Sequence, residues 1–374
     1  MKNFILILCS FFLFVACAQK PIVVSKPSTI DEKQTEVLKE QVLIEPLDIE
    51  SENFLLENTS LNRIAVIYPS KVVGKYAKST ISTISAYLLF NNKKFQVETF
   101  DTKDESLESI LTQLNSLKDK AYTKVIALFT KNGFNLLNSI EGSKNLKIYF
   151  PLINKKEINT DNNNFVFGGI SYEKQIELLQ TIASDKNSMF YINSYLGNKL
   201  KDSYLNTFGP SILKEIARNN NRFKYIMNDE RIIGSTVLLN TPIIKSSIIM
   251  TQLTAYEISP SKILSTQLNY NPLLLKLTQE RDRENFYVVS SISEVDNYIE
   301  DYAKLLGSDI TYNWVDYSSL IGIDYLINDN SNSMEPRFIN IDLVDNQVNY
   351  KQTLYRSTFY GFQKVLTDWR ISNI

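Results

Sequence analysis

The chain has 374 residues, and its 40 Lys and Arg against 41 Asp and Glu give a formal net charge of −1, which excludes a polycationic nucleic-acid binder. A hydrophobic fraction of 44% excludes a disordered chain, and the length favours two domains or lobes with sizeable cores. Histidine is absent, which removes imidazole bases and imidazole metal ligands, and the two cysteines, Cys9 and Cys17, both lie near the N-terminus. We therefore expect no cofactor and no metal site.

Residues 1–16 have the pattern of an export signal. A lysine precedes the uncharged apolar run Phe4–Ala16. As a helix this run would rise about 20 Å, less than the roughly 30 Å core of a bilayer. The sequence therefore predicts a signal peptide rather than a membrane-spanning helix.

The end of this run, Leu13 to Ala18, resembles the lipobox of bacterial lipoproteins, with Phe14 where an aliphatic residue is usual. The resemblance implies acylation (palmitate and similar chains) of Cys17, which would hold the protein at a membrane without spanning it. Because Ala18 rather than Asp follows Cys17, the sorting rule of such lipoproteins favours the outer membrane, facing the periplasm. The alternative is a plain signal peptide that is cleaved elsewhere.

Residues 17–60 are predicted to form a lipid-anchored linker. They contain three prolines, many Glu and Lys, and no Gly, and their apolar residues are scattered. At about 3 Å per extended residue the linker would span up to ~100 Å. A spacer that reaches toward a partner and a disordered leader without a length requirement both fit this composition.

From residue 61 onward, buried strands alternate with amphipathic helices, which predicts βαβ units and parallel sheets covered on both faces. The strands predicted for the first unit are Arg63–Tyr68, Phe95–Asp101, Lys124–Phe129 and Lys147–Ile153. Its predicted helices are Val72–Asn91, Leu107–Leu117 and Gly133–Ile140.

The pattern restarts after the polar segment Asn159–Asn164. The strands predicted there are Phe165–Ile170, Ser188–Ile192, Phe223–Met227, Val237–Leu239, Ile263–Gln267 and Phe286–Ile292. The predicted helices are Tyr172–Ala183, Leu196–Phe208, Ile244–Leu253, Tyr270–Thr278, Val295–Leu306 and Ser318–Ile327. Two alternating runs around Asp345-Asn346 predict a C-terminal β-hairpin. The predicted fold class is α/β, with two doubly wound parallel-sheet lobes and that hairpin.

Two segments resemble type I periplasmic binding proteins. Arg63–Thr102 is similar to the opening βαβ unit of the branched-chain amino-acid receptors, and Phe286–Leu306 to the strand and helix that return to the first lobe. The resemblance, over about residues 61–365, implies two lobes joined by three crossing strands, with a ligand cleft between them. Lobe 1 is expected to comprise residues 61–165 and 286–335, and lobe 2 residues 166–285 and 336–365.

Ligands of open α/β sheets bind beyond the carboxyl ends of the strands. The candidate cleft residues there are Ser70, Lys71, Thr130, Lys131 and Asn154 in the first lobe, and Asn193, Tyr195, Asn240, Thr241 and Tyr270 in the second. Amides and hydroxyls favour a small polar solute, and a helix N-terminus after Ser70 or Thr130 could hold an anion. The alternative for each position is an ordinary cap or turn residue.

The first-lobe loops depart from those of the amino-acid receptors. The loop after the first strand, Pro69–Gly74, is not the small Gly- and Ser-rich loop typical of that family, and Phe150–Ile153 brings no hydroxyl. A degenerate cleft or a different ligand is therefore expected.

No catalytic signature is present in the sequence. It lacks the glycine-rich phosphate loops of nucleotide-binding proteins and any evident Ser-Lys or carboxylate constellation. We therefore predict a non-enzymatic, lipid-anchored periplasmic protein that binds a small solute in its interlobe cleft or serves as a degenerate receptor scaffold. Its partners would be the membrane, through Cys17, and an envelope protein such as a permease, but no nucleic acid.

The alternative is a protein–protein module. The order of anchor, spacer and bilobed body is similar to that of the lipoproteins that activate penicillin-binding peptidoglycan synthases. That layout is an analogy, because a shared fold does not by itself imply a shared function.

Overall fold

Two α/β lobes, each built around a sheet of seven strands, form the body of the protein in the computed structural model. The structure describes residues 61–219, 223, 227, 229–328 and 342–366. The predicted signal peptide, the acylated Cys17 and the linker to residue 60 lie outside the described residues.

The first part of the chain forms most of the first lobe. Its elements are β1 (Asn62–Tyr68), α1 (Ser70–Phe90), β2 (Phe95–Asp101), α2 (Leu107–Asp119), β3 (Lys124–Ala127), α3 (Lys131–Ser139), β4 (Lys147–Phe150) and β5 (Phe165–Phe167). The chain then crosses to the second lobe, which consists of α4 (Tyr172–Gln180), β6 (Asn187–Tyr191), α5 (Tyr195–Phe208), β7 (Ile212–Glu215), β8 (Thr236–Asn240), α6 (Ile243–Ala255), β9 (Lys262–Ser265), α7 (Pro272–Leu277) and β10 (Phe286–Ser290).

The remaining elements are shared between the lobes. Helices α8 (Asn297–Leu306) and α9 (Trp314–Asn328) pack on α1, and the hairpin β11 (Leu343–Val344) and β12 (Gln347–Val348) joins the first sheet. Strands β13 (Thr353–Ser357) and β14 (Phe362–Lys364) join the second. The strand orders are β11-β12-β5-β4-β3-β1-β2 and β14-β13-β10-β9-β8-β6-β7. Pairing is parallel except within the two hairpins and between β10 and β13.

Each sheet is buried on both faces, which explains the continuous apolar runs in the sequence. In β1, Ile64 and Val66 face one apolar cluster, which contains residues of α1, α8 and α9, and Ala65 and Ile67 face another, which contains residues of α2 and α3. The second lobe likewise has one cluster under α6 and α7 and another under α4 and α5. None of the helices in the described part of the chain is both long and apolar enough to cross a membrane.

The predicted α/β class and the C-terminal hairpin are confirmed. Asp345 and Asn346 have φ of 52° and 58°, and they form the turn between β11 and β12. Positive φ at both central residues is the geometry of a type I′ turn, which Asn and Asp adopt more readily than most residues.

The expected lobe boundaries are wrong at three places. The strand β10 pairs with β9 in the second sheet, and the chain returns to the first lobe only after it. The strand β5 and the hairpin β11–β12 belong to the first sheet, although residues 166–285 and 336–365 were expected in lobe 2. All of these strands have similar apolar patterns, and such a pattern predicts a strand without specifying its partner.

Of the strand predicted at Phe223–Met227, only the two end residues lie in the described part of the chain, and neither of them is in a strand. The Met227 N–H donates to the Phe223 carbonyl at 2.9 Å, an i to i−4 bond typical of a helix. The strand beside β6 is instead β7, which follows Gly209 and Pro210. Its short mixed sequence Ile-Leu-Lys-Glu has little strand signal of its own.

Within the described part of the chain, three segments join the lobes, as the resemblance implied: residues 168–171, 291–296 and 349–352. Side-chain hydrogen bonds tie the second and third segments to each other, to helix α4 and to the turn after β9. The Gln175 Nε2 donates to Ser291 Oγ, which donates to Gln352 Oε1, both at 2.8 Å. Main-chain N–H groups of Ser291 and Gln267 donate to the side-chain oxygens of Gln267 and Gln175 at 2.7 and 2.8 Å. We call this set of residues the hinge network.

Candidate functional site

The first lobe places Thr130 at the start of α3, after β3, as expected for a cleft residue. Its N–H and its hydroxyl both donate to the carboxylate of Glu105, at 2.7 and 2.6 Å. Its Oγ also accepts from Asn132 N at 3.3 Å and so caps the helix. Because Glu105 already occupies this helix end, the expectation that a ligand anion binds after Thr130 is wrong.

The same arrangement occurs at Ser70, the first residue of α1. The Ser70 N–H donates to Asp101 Oδ1 at 3.1 Å, and the neighbouring Lys71 is exposed and 3.8 Å from Asp104. Partial burial raises the pKa of Asp101, but hydrogen bonds from Lys103 and Ser70 outweigh this effect and lower it to about 2. A protein carboxylate thus takes the place that was predicted for a bound anion here too.

Asn154, the candidate beyond β4, has a structural role. It is 7% exposed, its Nδ2 donates to the Gly169 carbonyl at 3.0 Å, and its Oδ1 accepts from Lys156 N at 3.1 Å. It therefore fixes the first crossing segment. It also lines a cavity of about 470 Å³ beside that segment, together with residues of the β11–β12 hairpin.

Tyr195 and Lys131 face each other across the seam between the lobes. Tyr195, the first residue of α5, is 77% exposed, and with Thr130, Lys131 and Asn132 it lines a cavity of about 500 Å³. A neighbouring cavity of about 540 Å³ also contains residues of both lobes, among them Glu157 and Lys199, which form an ion pair between the lobes. The candidate Asn193 lies just before α5 and accepts from Asn198 Nδ2 at 2.9 Å.

Asn240, at the end of β8, lines a further cavity of about 560 Å³ in the second lobe. This cavity, here called the second-lobe cavity, lies at the starts of α5 and α6. Its described lining residues are Ile192, Ser194, Leu196, Gly197, Arg218, Asn240, Pro242, Ile244, Lys245 and Leu268.

The two remaining second-lobe candidates, Thr241 and Tyr270, are core residues. Thr241 is fully buried and shares a 2.7 Å hydrogen bond with Ser246. Tyr270 is 8% exposed, and its ring lies 4.8 Å from that of Tyr355 and 5.0 Å from that of Phe362. Burial raises the pKa of the Tyr270 hydroxyl well above its usual range. Both residues follow strands, but neither lines any of the cavities described above.

The sequence analysis missed Glu105 and Arg218, because each lies in a loop with no local motif. Gly197 could have been recognised from the sequence, because it stands three residues after Ser194, whose side chain caps α5. A side chain at Gly197 would place its Cβ 1.9 Å from the Ile192 carbonyl oxygen. Within the described part of the chain, no three acidic or cysteine side chains are grouped so that they could hold a metal ion.

The sequence matches no protein-family model, and no curated protein is significantly similar to it. Its fold, in contrast, matches many solved structures. One is the branched-chain amino acid transporter substrate-binding protein LivJ of Streptococcus pneumoniae, solved with isoleucine. The similarity has a TM-score of 0.60 at 11% identity and covers 82% of this chain and all of the other.

Two further solved structures have a similar fold. A putative branched-chain amino acid ABC transporter protein of Rhodospirillum rubrum has a TM-score of 0.61 at 10% identity, and covers 82% of this chain and all of its own. The C-domain of LpoA of Haemophilus influenzae, a regulator of PBP1A, has a TM-score of 0.54 at 10% identity with the same coverage. The body of this chain therefore has the type I periplasmic-binding-protein fold.

Proposed function

We propose that this chain is a non-enzymatic envelope protein, anchored by acylation at Cys17, whose two lobes bind a small solute between them. The observation that carries the proposal is the cavity of about 500 Å³ at the seam, with Thr130 and Lys131 on one side and Tyr195 on the other. It lies beyond the carboxyl ends of the strands, where ligands bind in this class of sheet.

Solute binding can be coupled to a rotation of the lobes about the hinge network. The three crossing segments are short, and rotation about them would move Tyr195 toward or away from α3 without disturbing either core. A solute that contacts both lobes has differential affinity for the closed form, and it shifts the equilibrium by that difference. Closure is therefore the expected response to binding.

A thermal-shift screen over amino acids, short peptides and muropeptides tests the proposal. A solute at 100 times its dissociation constant should stabilise the body by about 2.7 kcal/mol. We expect Tyr195→Ala to weaken binding at least tenfold, because it removes the ring from the seam. Tyr298→Ala, at a tyrosine that is 73% exposed on α8, should not change binding. If no solute raises the melting temperature, the proposal fails.

The second candidate function is a protein–protein module that activates a penicillin-binding peptidoglycan synthase. Two observations favour it: protein carboxylates fill both first-lobe helix ends, and an ion pair between Glu157 and Lys199 already joins the lobes across the seam. The LpoA C-domain, which has a similar fold, is a regulator of PBP1A, so this fold has such a role in another protein.

Affinity capture with the acylated full chain separates the two functions. Recovery of a peptidoglycan synthase would support the module, whereas recovery of an inner-membrane permease would support solute transport. The same preparation tests the anchor, since Cys17→Ser should release the protein from the membrane fraction.

A further inference from the structure

We propose that the exposed side of α8 is a dimer interface, and that its occupant is the same side of α8 in a second copy of this chain. Such an interface is isologous, because one patch of surface serves on both sides of a two-fold axis. The inference goes beyond the proposed function and does not rest on it, since no residue of α8 lines any of the cavities described above.

The first observation is a stripe of apolar side chains that α8 exposes. Tyr298, Tyr302 and Leu305 stand at positions i, i+4 and i+7, so they share one side of the helix. They are 73%, 42% and 84% exposed, whereas Ile299 and Ala303, on another side of the helix, are buried in the first-lobe core. A second apolar stripe on the solvent side of a helix indicates a partner that covers it.

The last residues of α1 and α8 extend this stripe into a patch. The ring of Phe90 meets that of Tyr302 edge to face, with centroids 5.9 Å apart. Leu89 and Leu306 are also exposed. We call the following residues the α8 patch: Leu89, Phe90, Tyr298, Tyr302, Leu305 and Leu306.

The α8 patch is large enough for a weak dimer. Its exposed surface is on the order of 500 Å², at the upper end of the largest apolar patch on an ordinary monomer. Two such patches in contact would bury up to about 1,000 Å², which is the lower limit for a specific interface between proteins. We therefore expect a dimer that forms in the micromolar range and depends on protein concentration.

The charges beside the stripe favour a second copy as the occupant. Asp301 and Lys304 are exposed and lie along the same flank of the stripe, one helical turn apart. Lys304 pairs with Glu300 of its own helix at 2.5 Å, whereas Asp301 has no ion pair within the described part of the chain. When two identical helices pack antiparallel, each flank faces the same flank of the other helix in reverse order. Asp301 of each copy would then lie opposite Lys304 of the other.

The register that pairs these charges also pairs the apolar side chains. A two-fold axis beside Tyr302 places Tyr298 of each copy against Leu305 and Leu306 of the other, so apolar residues meet along the length of the helix. A parallel packing would instead set the charged flank against the Leu306 flank, which would desolvate the charges without pairing them. The sequence of α8 is therefore self-complementary in the antiparallel orientation.

Sedimentation velocity of the full chain, over concentrations from about 1 µM to 500 µM, tests the inference. We expect a monomer–dimer equilibrium. Leu305→Lys should raise the dimer dissociation constant at least tenfold, because it places a charge within the apolar stripe. The matched control is Leu366→Lys, at a leucine of the second lobe that is 80% exposed, and it should change this constant less than twofold. A chain that stays monomeric at every concentration overturns the inference.

Charge variants test both the identity and the orientation of the occupant. Asp301→Lys alone and Lys304→Glu alone should each weaken the dimer at least tenfold, because each sets like charges opposite one another at both contacts. An equimolar mixture of the two variants should dimerise with about the parent dissociation constant, since opposite charges then meet at both contacts. That recovery would also show that both variants fold. A mixture that dimerises no better than either variant alone contradicts the antiparallel pairing of two copies.

Discussion

At the scale of single residues, two carboxylates occupy the helix ends of the first lobe at which the sequence analysis expected a bound anion. Asp101 and Glu105 come from β2 and the loop after it, and they accept hydrogen bonds from the first residue of α1 and from Thr130, which caps α3. Both are thus internal substitutes for a ligand anion. A sequence can show that a helix starts after a strand, but not which side chain from another loop reaches that start.

Asp101 should make stability depend on pH below about 4. Its pKa is about 2 in the folded protein and about 3.9 in an unfolded chain, so its contribution is present above pH 4 and is lost as the pH falls toward 2. We expect Asp101→Asn to lower the free energy of unfolding by about 1 kcal/mol at pH 7 and to have little effect at pH 2. Urea unfolding at both pH values measures this difference.

The control for this prediction is Asp161→Asn. Asp161 is an exposed carboxylate to which no hydrogen bond is formed by the described residues. Asp161→Asn should leave the urea midpoint unchanged at both pH values. An equal effect of Asp101→Asn at pH 7 and pH 2 would contradict the assigned role of its charge.

At the scale of elements, close packing against the first sheet explains the glycine in the interior of α9, Gly322. Helix α9 lies against the first sheet with 11 buried residues, and Gly322 faces the ring of Tyr149, the residue in the middle of β4. A Cβ at Gly322 would lie 2.3 Å from that ring. The absent side chain therefore lets the helix approach the sheet closely, and this compensates for the low helix propensity of glycine.

Two glycine substitutions should change the free energy of unfolding in opposite directions. Gly322→Ala should lower the free energy of unfolding by about 1–3 kcal/mol, because Tyr149 is fully buried and has no room to move. A Cβ at Gly74, in the interior of α1, would contact only Ser70 Cβ, at 3.6 Å. Gly74→Ala should therefore raise the free energy of unfolding by about 0.4–1 kcal/mol. Thermal or urea unfolding of both variants measures these changes. A stabilising Gly322→Ala would contradict the close packing of α9.

At the scale of the whole molecule, the three crossing segments hold the lobes together while leaving a seam. Tyr350, in the third segment, donates to the Gly168 carbonyl in the first at 2.6 Å. Burial raises the pKa of Tyr350 well above its usual range, so its hydroxyl remains a donor at any physiological pH. Buried hydrogen bonds join the segments at this end, and the half-buried ion pair between Glu157 and Lys199 joins the lobes at the seam.

The ion pair between Glu157 and Lys199 should favour the closed arrangement. Its side chains are 33% and 36% exposed, so its contribution is below about 1 kcal/mol. We expect Glu157→Lys to increase the open population a few-fold and to raise the radius of gyration in small-angle scattering. The charge-swapped double variant, Glu157→Lys with Lys199→Glu, should restore the parent value.

The matched control is Lys144→Glu, which breaks an exposed ion pair with Glu141 inside the first lobe. It should not change the radius of gyration. If Glu157→Lys and Lys144→Glu have the same effect, the seam pair does not control closure.

The sequence by itself determined the α/β class, the two lobes and the hairpin turn, because strand and helix periodicity and the Asp345-Asn346 pair are local signals. Tertiary structure alone decided which sheet each strand joins, which is why the lobe boundaries shifted at β5, β10 and β11–β12. It also decided which predicted cleft residues are accessible: Tyr195 faces the seam, whereas Thr241 and Tyr270 are buried. Strand pairing and side-chain burial depend on residues far apart in the chain, and no local pattern encodes them.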